Sequence, residues 1–308
     1  MRSVIVGLGV QGRKRQLVLE DSLVATIDKY NSEADVDDLG KIDEESFEVI
    51  FSCVPDETKI ENVYDALRLK KHILVEKPLI LDELSDFKIL EANSHEQNVF
   101  IQSAYNHRFE PNFVRVKNLL EENTLGEIYS FKCFYGNGTA GLISNSEWRN
   151  TSYGVGVDLG SHVLDLLHYF FGTQTFEFSS QTWNHETACP DRAILFGHYG
   201  SISITIETTY LSWRNTFWME IIGKEGSISV HGLCKWSQST LERRIRKLPS
   251  GVPIFEKFIE PEGDPTWRIE VSEFFGSILN GNQTDLTRDM LIQEILEKSR
   301  LLDKASKK

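Results

Sequence analysis

The sequence predicts an α/β chain in two parts: an N-terminal, mostly parallel sheet with helices on both faces, then an α+β domain built on an open, mostly antiparallel sheet. Three observations predict this. Short apolar runs alternate with helix-length segments through residue 104, alternating runs at hairpin spacing crowd residues 175–231, and 308 residues exceed the usual size of one core. The first domain is expected over 1–120 and the second over 121–308, with the terminal helices able to pack back on the first.

Strands are expected at 3–6, 23–27, 48–53, 72–75 and 99–102, with helices at 12–19, 59–69 and 81–95 between them. These helix lengths suit the right-handed crossovers that parallel neighbours need. The rhythm changes after Asn106-His107-Arg108-Phe109-Glu110-Pro111. A helix is expected at 112–121, an alternating segment at 128–135, a Gly-rich polar stretch at 136–153 and a compact helix at 157–170. Runs at 175–183, 192–198, 201–210, 216–223 and 227–231 then read as antiparallel strands. Helical periodicity returns at 266–279 and 285–302, and Lys307-Lys308 reads as a tail.

Composition narrows the function classes. With 33 basic residues against 46 acidic, a formal charge of -13 argues against an extended nucleic-acid or anionic-membrane surface. The densest basic cluster, Arg243, Arg244, Arg246 and Lys247, reads as an exposed hairpin edge or loop. Cys53, Cys133, Cys189 and Cys234 lack the spacing of a zinc or redox motif, so reduced thiols in a cytoplasmic protein are expected. No apolar run has the length of a signal peptide or membrane span, so no membrane partner is expected either.

Gly7-Leu8-Gly9-Val10-Gln11-Gly12 follows the first strand and opens the first helix. Gly7 suits a tight turn, Gly9 leaves room for a pyrophosphate, and Gly12 allows close helix–strand packing, while the helix N-terminus offers unpaired N–H groups. The second strand ends at Asp28, sixteen positions beyond Gly12, where a carboxylate can accept from a ribose diol and would repel a 2'-phosphate. The first domain therefore reads as Rossmann-type, with NAD preferred over NADP. Arg13, Lys14 and Arg15 work against that preference if one of them reaches a phosphate. Cys53 and Pro55, after the third strand, belong to a loop able to cover a dinucleotide, with Cys53 as an apolar filler and not a nucleophile.

Val75-Glu76-Lys77-Pro78 brings an acid, a base and a proline to the carboxyl end of a strand, where ligands of open α/β sheets collect. Glu76 is placed to orient Lys77, and the Lys77-Pro78 bond is a candidate for the cis form. In the helix at 157–170, Asp158, His162 and Asp165 share one side of an otherwise apolar surface. Such a stripe serves to cap and orient neighbouring backbone, to build a buried polar network, or to place an acid/base pair in a cleft. The spacing lacks the specificity of a zinc motif, and no metal is expected.

These motifs, in this order, resemble the Gfo/Idh/MocA oxidoreductase family over nearly the whole chain. Gly7 to Gly12 is similar to its cofactor turn, Glu76-Lys77-Pro78 to its EKP motif, Tyr105 to Phe109 to its interdomain junction, and Asp158 through His162 to its catalytic helix. The resemblance implies an open antiparallel C-terminal sheet, a homo-oligomer (dimer or tetramer), and a polyhydroxylated substrate such as a sugar, cyclitol or nucleotide sugar. Lys59 departs from the histidine that relatives often carry there. Residues 220–226 and 264–267 resemble a subgroup associated with sugar metabolism.

The expected chemistry is alcohol–carbonyl interconversion with NAD or NADP. Lys77, Asp158 and His162 form the expected catalytic set, and the sequence leaves open whether His162 or Lys77 accepts the proton. Gly7, Gly9, Val10, Gln11, Gly12, Asp28, Cys53, Pro55, Glu76 and Lys77 are the expected cofactor contacts. Arg108, Trp148, Arg149 and Tyr153 join Lys77, Asp158 and His162 as expected substrate contacts. A catalytically inactive dinucleotide-responsive protein and an enzyme of elimination or glycoside cleavage that recycles its cofactor are the competing readings.

Overall fold

A computed structural model of the chain describes residues 1–150 and 153–302, apart from the side chain of Trp148. The tail at Lys307-Lys308 lies outside the described residues. The chain divides into two compact units, Met1–Asn106 with Thr266–Leu291, and His107–Pro265 with Ile292–Lys308.

The first unit begins β1 (Ser3–Val6), α1 (Val10–Leu19), β2 (Leu23–Ile27), β3 (Val49–Ser52), α2 (Asp56–Leu69), β4 (His72–Glu76), α3 (Leu84–Gln97) and β5 (Ile101–Ala104). Its five strands are all parallel, in the order β2-β1-β3-β4-β5. Alternation along the strands feeds two cores. Val4, Ile50, Ile73 and Val75 pack with Val63 and Phe87 of α2 and α3, whereas Ile5, Phe51 and Leu74 pack toward the opposite face.

The second unit carries α4 (Pro111–Glu121), β6 (Ile128–Gly136), α5 (Ala140–Ser144), α6 (Glu147–Asn150), α7 (Val155–Asp158) and α8 (Gly160–Phe171). Seven further strands follow: β7 (Phe176–Trp183), β8 (Arg192–Tyr199), β9 (Ile202–Thr209), β10 (Thr216–Gly223), β11 (Gly226–His231), β12 (Ser239–Ile245) and β13 (Ile254–Glu260). The sheet runs β13-β12-β11-β10-β6-β9-β8-β7, antiparallel except for the β6–β9 pair. Phe131, Cys133 and Tyr135 of β6 are buried with Phe217 and Met219 of β10, and α8 is apolar enough to be buried almost all round. The alternate positions form an open face where Phe196 and Trp218 are exposed.

The last elements among the described residues are α9 (Thr266–Leu279) and α10 (Thr287–Lys298). α9 belongs to the first unit, where Phe274 is fully buried and its ring lies 6.0 Å from Phe51 and 5.6 Å from Phe100. Burying such a ring stabilises by about 1.5–3 kcal/mol. Among the described residues no helix is long and apolar enough to cross a membrane.

Three features differ from the expectation. The change of unit falls after Asn106, not near 120, because α4 packs on α8, β12 and β13. The helix expected at 157–170 is two helices with Leu159 between them; Gly160 brings no Cβ, and the Ser161 hydroxyl donates to the Asp158 carbonyl at 3.3 Å. The β12–β13 hairpin was expected only as an exposed hairpin edge or loop around Arg243, not as two regular strands. Its charges hide the alternation but pair across it, Arg243 with Glu256 at 3.1 Å and Lys257 with Glu242 at 3.8 Å.

Candidate active site

Three residues reverse the chain between β1 and α1, and three glycines permit it. Gly7 takes φ +96°, and a Cβ there would meet the Cys53 carbonyl oxygen at 2.6 Å. A Cβ on Gly12 would meet the Gly7 carbonyl oxygen at 2.0 Å. Gly9 is the opposite case, with nothing within 4 Å of the corresponding point. Two glycines thus close the turn, and the third leaves space at the start of α1. Gly9 caps α1 without a side-chain hydrogen bond, and Val10 and Gln11 in its first turn are exposed. The result is a helix N-terminus suited to an anion.

Asp28, just past β2, fastens this turn. Its Oδ2 accepts from the Leu8 amide at 2.7 Å, and its Oδ1 from the amides of Tyr30 and Asn31 at 2.9 and 3.0 Å. Partial burial pulls the carboxyl's pKa upward, but the three amides outweigh it and hold it below the usual range. Behind the turn, burial and the Glu76 carboxylate push the Cys53 thiol far up, which leaves a protonated filler. Pro55 is exposed and caps α2 with φ -58°.

The carboxyl end of β4 is held from two sides. Arg15 is 1% exposed and forms ion pairs with Glu270 at 2.5 Å and Glu76 at 3.3 Å, with its guanidinium 4.5 Å from the Trp267 ring centre. Burial works against its charge, but Glu270 and then Glu76 outweigh that effect and raise its pKa. Arg15 is therefore committed to these carboxylates and not to a phosphate. Arg13 pairs with Glu33 at 2.5 Å, and Lys14 lies over Trp267. Glu76, expected to orient Lys77, receives Arg15.

Beyond Glu76 the Lys77-Pro78 bond is cis, and Lys77 is half-buried. On the other side Lys59, in the first turns of α2, donates from Nζ to Asp56 Oδ1 at 2.6 Å, the Lys77 carbonyl at 2.9 Å and the Pro78 carbonyl at 3.2 Å.

In the second unit, His162 is 7% exposed on the first turn of α8, with its ring centre 3.8 Å from that of His107. His107 Nε2 lies 3.2 Å from the Tyr135 hydroxyl and 2.9 Å from Lys235 Nζ, and Lys235 also donates to Tyr135 at 2.9 Å. An ammonium can only donate, so His107 Nε2 is the acceptor in that bond. Lys235 covers the Trp236 ring at 4.3 Å. At the end of α7, Asp158 Oδ2 accepts from the Tyr210 hydroxyl at 3.1 Å and lies 4.0 Å from Arg149. Burial and the Asp158 charge drive the Tyr210 phenol well above its ordinary value, so it remains a donor. Asp165 is fully buried against Arg108, whose Nη2 and Nε both reach it and whose guanidinium lies over Tyr169.

Residues 113–229 match the GFO/IDH/MocA C-terminal domain. A scyllo-inositol 2-dehydrogenase (NADP(+)) of Bacillus subtilis is 25% identical over 76% of this chain, and an inositol 2-dehydrogenase/D-chiro-inositol 3-dehydrogenase of Halalkalibacterium halodurans is 21% identical over 87% of this chain and 86% of its own. By this domain and these relatives the chain matches the Gfo/Idh/MocA oxidoreductase family. The match spans 61% of the B. subtilis relative's length. A levoglucosan dehydrogenase solved with NADH shares the fold, with a TM-score of 0.82, 18% identity and 97% of each chain covered.

The structure gathers the expected residues at three places and adds partners that were not expected. Gly7, Gly9, Val10, Gln11, Gly12 and Asp28 gather at one turn, with Cys53 behind it. Glu76 and Lys77 stand at the end of β4, while Asp158, His162, Arg108 and Arg149 belong to the second unit. Tyr153 is half-buried in the second unit, and the Trp148 side chain lies outside the described residues. His107, Tyr135, Lys235 and Tyr210 were missed as site neighbours. His107 had a signal, its place beside Arg108 in the junction motif. Lys235 had none, since its partners are 100 and 128 residues away.

Proposed function

We propose that this chain is a nicotinamide-dinucleotide-dependent dehydrogenase or reductase that interconverts an alcohol and a carbonyl on a sugar, cyclitol or nucleotide sugar. The observation that carries the reading is the Gly9 opening at the uncapped start of α1, tied to the Asp28 carboxylate through Leu8. These residues fit a dinucleotide: Gly7, Gly9, Val10, Gln11 and Gly12 would hold its phosphates, and Asp28 its adenosine ribose, which favours NAD over NADP. Cys53, Pro55 and Glu76 complete the same lining. The relatives named above act on inositols and levoglucosan, which supports a polyhydroxylated substrate.

When bound, the nicotinamide supplies the two-electron acceptor or donor. His162 takes the alcohol proton during oxidation, a task suited to a neutral imidazole near neutral pH. Lys77 holds the reacting oxygen and stabilises charge developing on it. Asp158, with Tyr210 and Arg149 attached, orients the polar groups around that exchange. Arg108, Trp148, Arg149 and Tyr153 serve the substrate's remaining hydroxyls. The same reading makes the protein a cytoplasmic homo-oligomer, dimer or tetramer, associating through the open face that exposes Phe196 and Trp218.

The test incubates the protein with scyllo-inositol, myo-inositol, levoglucosan and glucose 6-phosphate, each with NAD+ and with NADP+. Reduced-nicotinamide absorbance and product mass are both recorded. A product lighter by two hydrogens with matching reduced cofactor is expected, and His162→Asn and Lys77→Ala should each remove most of it. Tight dinucleotide binding without turnover in any pair would replace this reading with a regulatory one.

A further inference from the structure

We infer that Lys59 is a positioning residue for Lys77, acting through the backbone on which Lys77 is mounted; the inference rests on the role given to Lys77 above. An ammonium has three donors, and here all three are spent within one small region, on Asp56, the Lys77 carbonyl and the Pro78 carbonyl. The Lys59 side chain is 6% exposed, so these bonds form away from solvent. Leaving its buried charge or either carbonyl unmet is costly there.

Successive carbonyls on one cation are a specific arrangement. The Lys77 carbonyl belongs to the peptide joining residues 77 and 78, and the Pro78 carbonyl to the next peptide, so a single ammonium fixes two consecutive peptide planes. Pro78 has no N–H, and β4 ends at Glu76, so no strand ladder holds this stretch. Glu76, immediately before it, is engaged by Arg15. Lys77 thus leaves a backbone clamped before it by an ion pair and after it by Lys59. Its direction is set before any substrate arrives, which is what positioning a charge at a reacting oxygen requires. Asp56 offsets the Lys59 charge through a turn of α2, so the clamp is built from one helix start and needs no other element.

The experiment compares the full-length protein with Lys59→Met, Lys77→Ala and the double variant. The first readout needs no substrate: acetic anhydride labels the lysines in competition, and mass spectrometry gives the reactivity of Lys77 relative to the others. Lys59→Met should change Lys77 reactivity severalfold while lysines outside this edge keep theirs. The second readout is turnover of whichever of the four polyols above is accepted. Lys59→Met should lower kcat by about 10- to 100-fold with dinucleotide affinity preserved, and should cost little more once Lys77 is already alanine. Unchanged Lys77 reactivity, or losses that multiply in the double variant, would overturn the inference. Full turnover in Lys77→Ala alone would instead sink the role of Lys77 and leave the labelling result to decide whether the clamp exists. If Lys59→Met does not fold, Lys59→Gln carries the same measurements, since its amide keeps hydrogen-bonding capacity inside the site.

Discussion

The two units build their candidate site residues by different means. In the first, the backbone does most of the placing: glycines without Cβ atoms, a proline at the end of a strand, and carbonyls gathered by Lys59. In the second, side chains place one another over long separations, His107 with Tyr135 and Lys235, Arg108 with Asp165, Asp158 with Tyr210. The difference teaches where a substitution acts. A change of shape should break the first unit's site, and a change of charge or hydrogen bonding the second's.

The sharpest way to break the comparison is at the glycines. Gly12→Ala places a Cβ at 2.0 Å from a backbone oxygen that cannot swing away, so the turn must move. We expect a stability loss of about 3 kcal/mol or more and loss of measurable dinucleotide binding. Gly9→Ala meets nothing within 4 Å, so it should melt like the parent and lose only binding. Thermal melts with dinucleotide titration separate the two. A Gly12→Ala protein that melts and binds normally would show that the turn is not set by close packing.

The counterpart in the second unit is Asp165→Ala, which leaves Arg108 without its buried carboxylate. Removing one partner of such a pair costs about 3–5 kcal/mol when both are buried, and Arg108 is 21% exposed, which places the expectation at the low end. Denaturant unfolding reads the loss. Dinucleotide affinity should stay at the parent value, because Asp165 lies in the other unit from Gly7 to Gly12. A smaller effect belongs to Tyr135→Phe, which removes the hydroxyl shared by His107 and Lys235. It should cost about 1 kcal/mol or somewhat more, again without touching dinucleotide binding. Equal loss of binding and stability in either variant would erase the distinction between the units.

The same contrast explains what the sequence could disclose. Gly7 to Gly12, Asp28 and Glu76 to Pro78 are short local signatures because backbone geometry dictates them, and they were legible as motifs. Asp158 and His162 were visible as polar positions in an apolar helix, yet the chain offers no local clue to Tyr210 or Lys235. Even within the first unit, Glu76 was legible but its partner was not. Arg15 read as one of three charges able to reach a phosphate, and α9, arriving from residue 266 onward, buries it against Glu270. The β12–β13 hairpin failed for a related reason, since cross-strand ion pairs such as Arg243–Glu256 replace the alternation by which strands are recognised.

The smallest effect concerns Glu110, a buried carboxyl whose Oε2 accepts from the Cys234 thiol at 2.7 Å and the Cys234 amide at 3.3 Å. Burial raises its pKa, and the hydrogen bonds only partly offset this. The folded value therefore lies above the unfolded one. Below the unfolded value both states hold the proton and Glu110 imposes no penalty; as pH rises through the folded value, the folded state pays for ionising a carboxyl that the unfolded chain ionises freely. Glu110→Gln removes that penalty and keeps an oxygen for Cys234 to donate to. Its unfolding midpoint should exceed the parent's by about 2 °C at pH 8 and match it near pH 4. A lower midpoint at the higher pH would mean that the charge itself is needed, and would place Glu110 with the mutually charged pairs of the second unit instead of among its buried groups that resist ionisation.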